Sequence, residues 1–98
     1  MKYTVEISLA AENDIRKVFL WYESKKDGLG VEFEMEIEEA VYNIRDSPLK
    51  TQVRYNKIRV FFLKRFPYGI HFRVSEDIIL IVGVFSTRED PNKWKLRI

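Results

Sequence analysis

The sequence predicts an α+β fold: an N-terminal strand, a two-helix hairpin, then a mostly antiparallel sheet, in the order β-α-α-β-β-β. Three observations predict it. Polar and apolar residues alternate over the first eight positions, apolar residues recur at helical spacing from Leu9 to Ser47, and β-branched and aromatic runs separated by turn residues follow from Ile58. The connection lengths then favour antiparallel neighbours, with the helical hairpin packed on one side of the sheet and much of the basic charge on the other.

The first strand is the alternation of Tyr3, Val5 and Ile7 with Lys2, Thr4, Glu6 and Ser8. Ala11, Ile15, Val18 and Tyr22 then fall on one helical face, with Ser8 as N-cap and Gly28 and Gly30 as stop signals. The stretch from Val31 to Glu38 alternates strictly and would suit a strand. It is assigned to helix because the pattern continues as Phe33, Ile37, Ala40, Val41 and Ile44, because Glu and Met favour helix, and because Ser47-Pro48 ends it. Lys50 to Asn56 reads as irregular. In the next strand Ile58, Val60 and Phe62 share one face while Arg59, Phe61, Leu63 and Arg65 share the other. After the turn Phe66-Pro67-Tyr68-Gly69, Ile70, Phe72 and Val74 alternate with His71 and Arg73, which predicts one wet, basic face. Ile78 to Phe85 is almost unbroken aliphatic sequence, the pattern of a central strand buried on both faces, and the tail from Ser86 to Ile98 reads as polar.

Composition narrows the function. The 98 residues suffice for one domain and one core, with 46% hydrophobic and 14% aromatic residues. No cysteine is present, which excludes disulfides and thiolate chemistry, and a single histidine argues against a metal site. No run of about 18 apolar residues is available to span a bilayer and the N-terminus lacks a secretion signal, so a cytoplasmic location is expected. Charge is uneven: residues 1 to 50 carry 7 basic and 11 acidic groups (net −4), residues 51 to 98 carry 10 and 4 (net +6). Between Asp46 and Glu76 there is no acidic residue, while Lys50, Arg54, Lys57, Arg59, Lys64, Arg65 and Arg73 are interleaved with six aromatic side chains. Such a stretch suggests a polyanionic partner, nucleic acid first and an acidic protein segment second, although a solvated surface has the same composition.

In their order and spacing, several segments resemble the RelE/ParE superfamily of bacterial toxins from type II toxin–antitoxin systems, also described as plasmid stabilisation proteins. The residues that carry the resemblance are Ala11 to Ile15, Gly28 to Phe33, Ile44-Arg45-Asp46-Ser47-Pro48, Ile58-Arg59, Arg65-Phe66-Pro67-Tyr68-Gly69-Ile70 and Thr87 to Trp94. The resemblance implies a RelE-like fold over residues 1 to 98, no cofactor, no metal, no membrane, and a cognate antitoxin as partner. It implies one of two targets. RelE-like members cut messenger RNA in the ribosomal A site without a metal, holding the phosphate with Lys and Arg while the ribose 2′-hydroxyl attacks; ParE-like members inhibit DNA gyrase and cut nothing.

Carried over residue by residue, Arg88 matches the arginine that the nucleases aim at the phosphate, and Trp94 falls where they carry a stacking tyrosine. Their arginine opening the third strand falls near Gly69, leaving Arg65 or Arg73 as substitutes. Lys57 and Arg59 lie near their paired basic residues. The candidate catalytic set is therefore Arg88, Arg65, Arg59 and Lys57, and the candidate nucleic-acid or target contacts are Lys64, Arg73, His71 and Trp94. Arginine stays protonated and is a poor general base, while His71 titrates in an accessible range but matches no catalytic position. The plainer reading of His71 is an exposed or hydrogen-bonded strand residue, and that of Trp94 a cap on the core. Trp21 and Tyr22 read as core or rim, and Glu32, Glu34, Glu36, Glu38 and Glu39 as a solvated helix face. Phe61 and Leu63 read as an exposed apolar patch assigned to the antitoxin. The Phe66-Pro67-Tyr68 turn and the Arg88-x-Asp90 element favour the ParE-like reading, gyrase inhibition; the ribosome-dependent nuclease is the alternative, and an inactive member that only binds antitoxin is the third.

Overall fold

Two capping arrangements set the helical hairpin. In the computed structural model, which describes residues 2–97, β1 (Thr4–Ile7) runs into α1 (Leu9–Lys25), and Ser8, in an extended conformation, accepts a hydrogen bond from the Ala11 amide at 3.1 Å. The second helix, α2 (Leu29–Asp46), follows Gly28, whose φ of +88° suits glycine and which offers no capping side chain. Glu23 of α1 supplies the cap: Oε1 accepts from the amides of Gly30 (2.7 Å) and Val31 (3.2 Å), and Oε2 from that of Gly28 (3.2 Å). The Gly28 amide, helped by the other two, holds the Glu23 carboxyl below its usual range against the opposing effect of burial.

After a 3-10 turn at Pro48–Lys50 come β2 (Val53–Tyr55), β3 (Ile58–Phe62), β4 (Tyr68–Ser75), β5 (Ile78–Ser86) and α3 (Pro91–Arg97). The five strands form one sheet in the order β1-β5-β4-β3-β2, with β1 parallel to β5 and every other pair antiparallel. The α+β order read from the sequence holds, with two additions. Strand β2 lies where irregular chain was expected: three residues carry too little periodicity to be seen, and pairing with β3 creates the strand. Its two-residue hairpin turn puts both Asn56 (φ 42°) and Lys57 (φ 64°) in the left-handed region. Helix α3 lies in the tail that read as polar. It starts at Pro91 behind Asp90, whose Oδ1 accepts from the Asn92 amide at 2.9 Å.

Because directly paired residues of antiparallel strands point to one side, the register divides the sheet cleanly. Phe61, Ile70, Phe72, Ile81 and Val84 face the helices and pack with Ala11, Tyr22, Phe33, Ile37, Ala40 and Ile44. These include every buried position expected of α2 except Val41, which is half-buried. Strand β5 lies inside the sheet, between β1 and β4, as its apolar sequence led one to expect, although β1 covers it only as far as Ile81, and it carries a bulge at Val82 between the pairs His71↔Gly83 and Phe72↔Ile81. Ile7, expected inside with Tyr3 and Val5, is 39% exposed at the end of its strand.

The acidic face of α2 is only partly solvated. The Glu36 carboxylate accepts from the amides of Lys64 (2.6 Å) and Arg65 (3.2 Å), and Glu32 pairs with the Arg65 guanidinium at 2.7 Å. Both hold the loop between β3 and β4 against the helix.

Helices α1 and α2 cross at Gly30, where a Cβ atom would lie 2.5 Å from the Phe19 carbonyl oxygen and 2.6 Å from Glu23 Cγ. Gly30→Ala should therefore cost about 2 kcal/mol of stability in a urea titration, the usual range for overpacking at a backbone contact. Glu23→Gln should lower the midpoint as well, by weakening three hydrogen bonds without changing shape.

Candidate functional site

The sheet face away from the hairpin is where the structure departs furthest from the alternation of the sequence. Register places Tyr55, Ile58, Val60, Phe62, His71, Arg73 and Phe85 on it. Of these, Ile58, Val60, His71 and Phe85 are buried, and α3 folds back to lay Trp94 over His71 and Phe85. The Trp94 ring meets that of His71 edge-on at 4.7 Å, stacks over Phe85 at 6.4 Å and lies 6.2 Å from Tyr55. Phe85 can lie flat here because Gly83 leaves room; a Cβ on Gly83 would sit 2.5 Å from its ring. His71 is 1% exposed, and its Nδ1 lies 2.8 Å from the Tyr55 hydroxyl. Burial pushes the His71 pKa down to about 4, against the smaller pull of the Asp14 charge, so the imidazole is neutral at pH 7. The Trp94 Nε1–H is buried with no hydrogen-bond partner among the described residues.

Three devices place the chain between β5 and α3. The Thr87 amide and hydroxyl both donate to the Pro67 carbonyl (2.8 and 3.2 Å), and the Arg88 amide donates to Ser86 Oγ at 3.1 Å. Arg88 is thereby left exposed at the end of the sheet, close enough to Tyr22 and Tyr68 for its charge to oppose the rise that burial imposes on both phenols. The last device lies at the far end of α3. The Arg97 guanidinium spans both carboxylate oxygens of Asp14 (2.9 and 3.1 Å), approaches the Val82 carbonyl at 3.3 Å and lies 4.9 Å over the Phe85 ring. Asp14 Oδ2 also accepts from the Val84 amide at 3.0 Å. Between α1, the end of β5 and α3 lies an open cleft of about 540 Å³, bordered by Lys17, Tyr68, Glu89, Lys93, Leu96 and Arg97.

The residues singled out by sequence do not converge on one point. Lys57 and Arg59 lie at the start of β3 and Arg65 and Arg88 beyond its far end, a separation of roughly 15 Å along a strand of this length. Arg59 is turned to the helix side, where Nη1 donates to the carbonyls of Thr51 and Leu49. Arg65 is engaged by Glu32 and lies over Phe66. Lys57 is exposed in the β2–β3 turn, and Lys64 is exposed while its amide is held by Glu36. Arg73 is exposed on the face that α3 partly covers, but His71, expected on the same wet face, is a core residue: the tail closes over it. Trp94 caps that second core and is half-buried. Leu63 is 9% exposed and packs with the helices rather than forming a surface patch; Phe61 is half-buried, and Phe62, on the other face, is 44% exposed. Tyr22 is core and Trp21 is 54% exposed. The described residues contain no group of three or more His, Asp or Glu placed to hold a metal ion, and no helix among them is long and apolar enough to cross a membrane.

Sequence reasoning missed Asp14, Arg97 and Tyr55. The Asp90-Pro91 pair is a helix-start signal that would have found α3. Nothing local links positions 14 and 97.

With this geometry in place, the profile of the family described as "ParE toxin of type II toxin-antitoxin system, parDE" matches residues 5–91. Among solved structures, the chain is similar to one from the chromosomal ParDE system of P. aeruginosa, with a TM-score of 0.78 and 18% identity, over 87% of this chain and 96% of that one. It is also similar to a chain of the RelBE2 toxin–antitoxin complex from Mycobacterium tuberculosis, with a TM-score of 0.59 and 17% identity, over 88% and 99% of the two chains. At these identities both show the shared fold. No curated protein sequence matches significantly.

The buried imidazole makes stability depend on pH. Its folded pKa of about 4 lies below its ordinary 6.5, so its contribution is full above about pH 6.5 and is lost as the pH falls towards 4. Denaturant titrations across that window should show a loss of about 3 kcal/mol from this group. In His71→Phe, which keeps an aromatic ring but cannot titrate, that part of the acid limb should disappear.

Proposed function

The chain belongs to the ParE toxin family of type II toxin–antitoxin systems, and from that premise we propose that it arrests growth by binding DNA gyrase, without cutting nucleic acid, and is neutralised by a cognate antitoxin. The observation that carries the reading is the state of the basic residues. Cleavage of RNA without a metal needs a base at the 2′-hydroxyl, an acid at the leaving oxygen and cations on the phosphate, all within reach of one another. Here Arg59 is turned to the carbonyls of its own chain, Arg65 to Glu32, and His71 lies beneath Trp94. Among the cations that stay exposed, Arg88, Lys93 and Lys95 cluster around α3 with Arg73 on the sheet, and such a cluster suits binding of a polyanionic or acidic surface.

The antitoxin interface is assigned to the β3 side of α2. There Phe61 and Phe62 border a shallow groove with Glu36, Glu39 and Asn43, and Met35 lies exposed nearby on α2. Leu63 does not line this groove and belongs to the core cluster instead.

A DNA supercoiling assay with gyrase, run beside primer extension of a message on programmed ribosomes, tests the reading. Supercoiling should be inhibited while the message stays intact. Arg88→Ala should weaken inhibition roughly tenfold, as expected when one charge-assisted contact of about 1.5 kcal/mol is lost. Discrete A-site cuts that vanish in Arg88→Ala would replace this reading with the nuclease. Failure to arrest growth on expression would point to a member that only binds antitoxin.

A further inference from the structure

Helix α3 presents Lys93 and Lys95 to solvent, yet it is only seven residues long, contains no buried residue, and has Leu96 87% exposed. A helix this short has little stability of its own, so its place on the sheet depends on anchors. There are two. Trp94 enters the aromatic cluster and leaves its Nε1–H buried and unpartnered, which makes that contact less favourable than its area suggests. Arg97 is the other. Its partner carboxylate is 15% exposed, meets the guanidinium with both oxygens, and is itself fixed by the Val84 amide. A bidentate, half-shielded pair of this kind constrains orientation as well as distance.

We propose that Asp14 is a positioning residue for the target-binding surface: by gripping Arg97 and the exposed edge of β5 together, it sets how α3 docks and hence where Lys93 and Lys95 stand. This rests on the reading that the α3 corner contacts the target. It assigns Arg97, the most deeply engaged cation of the tail, to the scaffold and not to the target. Asp14 does this from α1, 83 residues away in sequence, without contacting the target itself.

The test uses the full chain in a Trp21→Phe background, so that Trp94 is the sole tryptophan. Asp14→Asn keeps an oxygen for the Val84 amide but loses the charge; Arg97→Gln removes the other side of the pair, and Arg97→Lys retains part of it. Acrylamide quenching of Trp94 in the free protein should rise at least threefold in Asp14→Asn and in Arg97→Gln, and less in Arg97→Lys. The inducer level needed to arrest growth at equal protein abundance should rise about tenfold in the first two. The double variant should be no worse than either single one, because both remove the same contact. The proposal is overturned if Trp94 stays shielded in Asp14→Asn, if the two changes are additive, or if Trp94 is freed while growth arrest is undiminished. In the last case the target-binding reading stands. Harmless expression of the parent chain would overturn both, and a fall in thermal midpoint without a change at Trp94 would reduce Asp14 to a stabilising residue of α1.

Discussion

Strand β5 is longer than the strand that covers its outer edge, and that mismatch organises the second half of the molecule. β1 pairs with it only from Ile78 to Ile81, while β5 continues to Ser86. A buried backbone donor left unpaired costs about 1–3 kcal/mol, so the uncovered edge needs partners. They come from opposite ends of the chain: Asp14 accepts from the Val84 amide and Arg97 donates to the Val82 carbonyl. Once these two side chains lie at one edge they pair with each other, and the tail is drawn back against α1.

The return of the tail converts the sheet from one-sided to two-sided. With the hairpin on one face and α3 on the other, β4 and β5 carry cores on both, and His71 becomes a core residue with a Tyr55 partner. The cations are displaced to the rim, the turns and α3. A target meeting this protein would meet loops and a short helix, with the sheet as support.

Charge asymmetry has a structural component as well. Glu32 pairs with Arg65 and Asp14 with Arg97, so the acidic first half and basic second half are matched across the fold at two points, and Glu36 adds a tie to the neutral amides of Lys64 and Arg65. Part of what reads as attraction for an outside polyanion is internal attraction between the helices and the strands laid on them. Arg88, Lys93 and Lys95 belong to the exposed cations that no ion pair engages among the described residues.

By itself the sequence determined the elements whose signals are periodic and local. The Ser8 cap, the apolar stripe through Phe33, Ile37, Ala40 and Ile44, the stop at Ser47-Pro48 and the continuous apolar run of β5 each act within one or two turns or along a single strand, so their physics is contained in neighbouring residues. The order and spacing of its motifs likewise carried the family resemblance. Only the tertiary structure decided that Val53–Tyr55 is a strand, that His71 and Leu63 are inside, that Arg59 and Arg65 are engaged, and that Asp14 meets Arg97. Alternation shows which residues share a face of a strand, but whether that face is wet depends on what folds over it. Here the cover arrives from the last seven residues of the described chain, held by a pair separated by almost its full length.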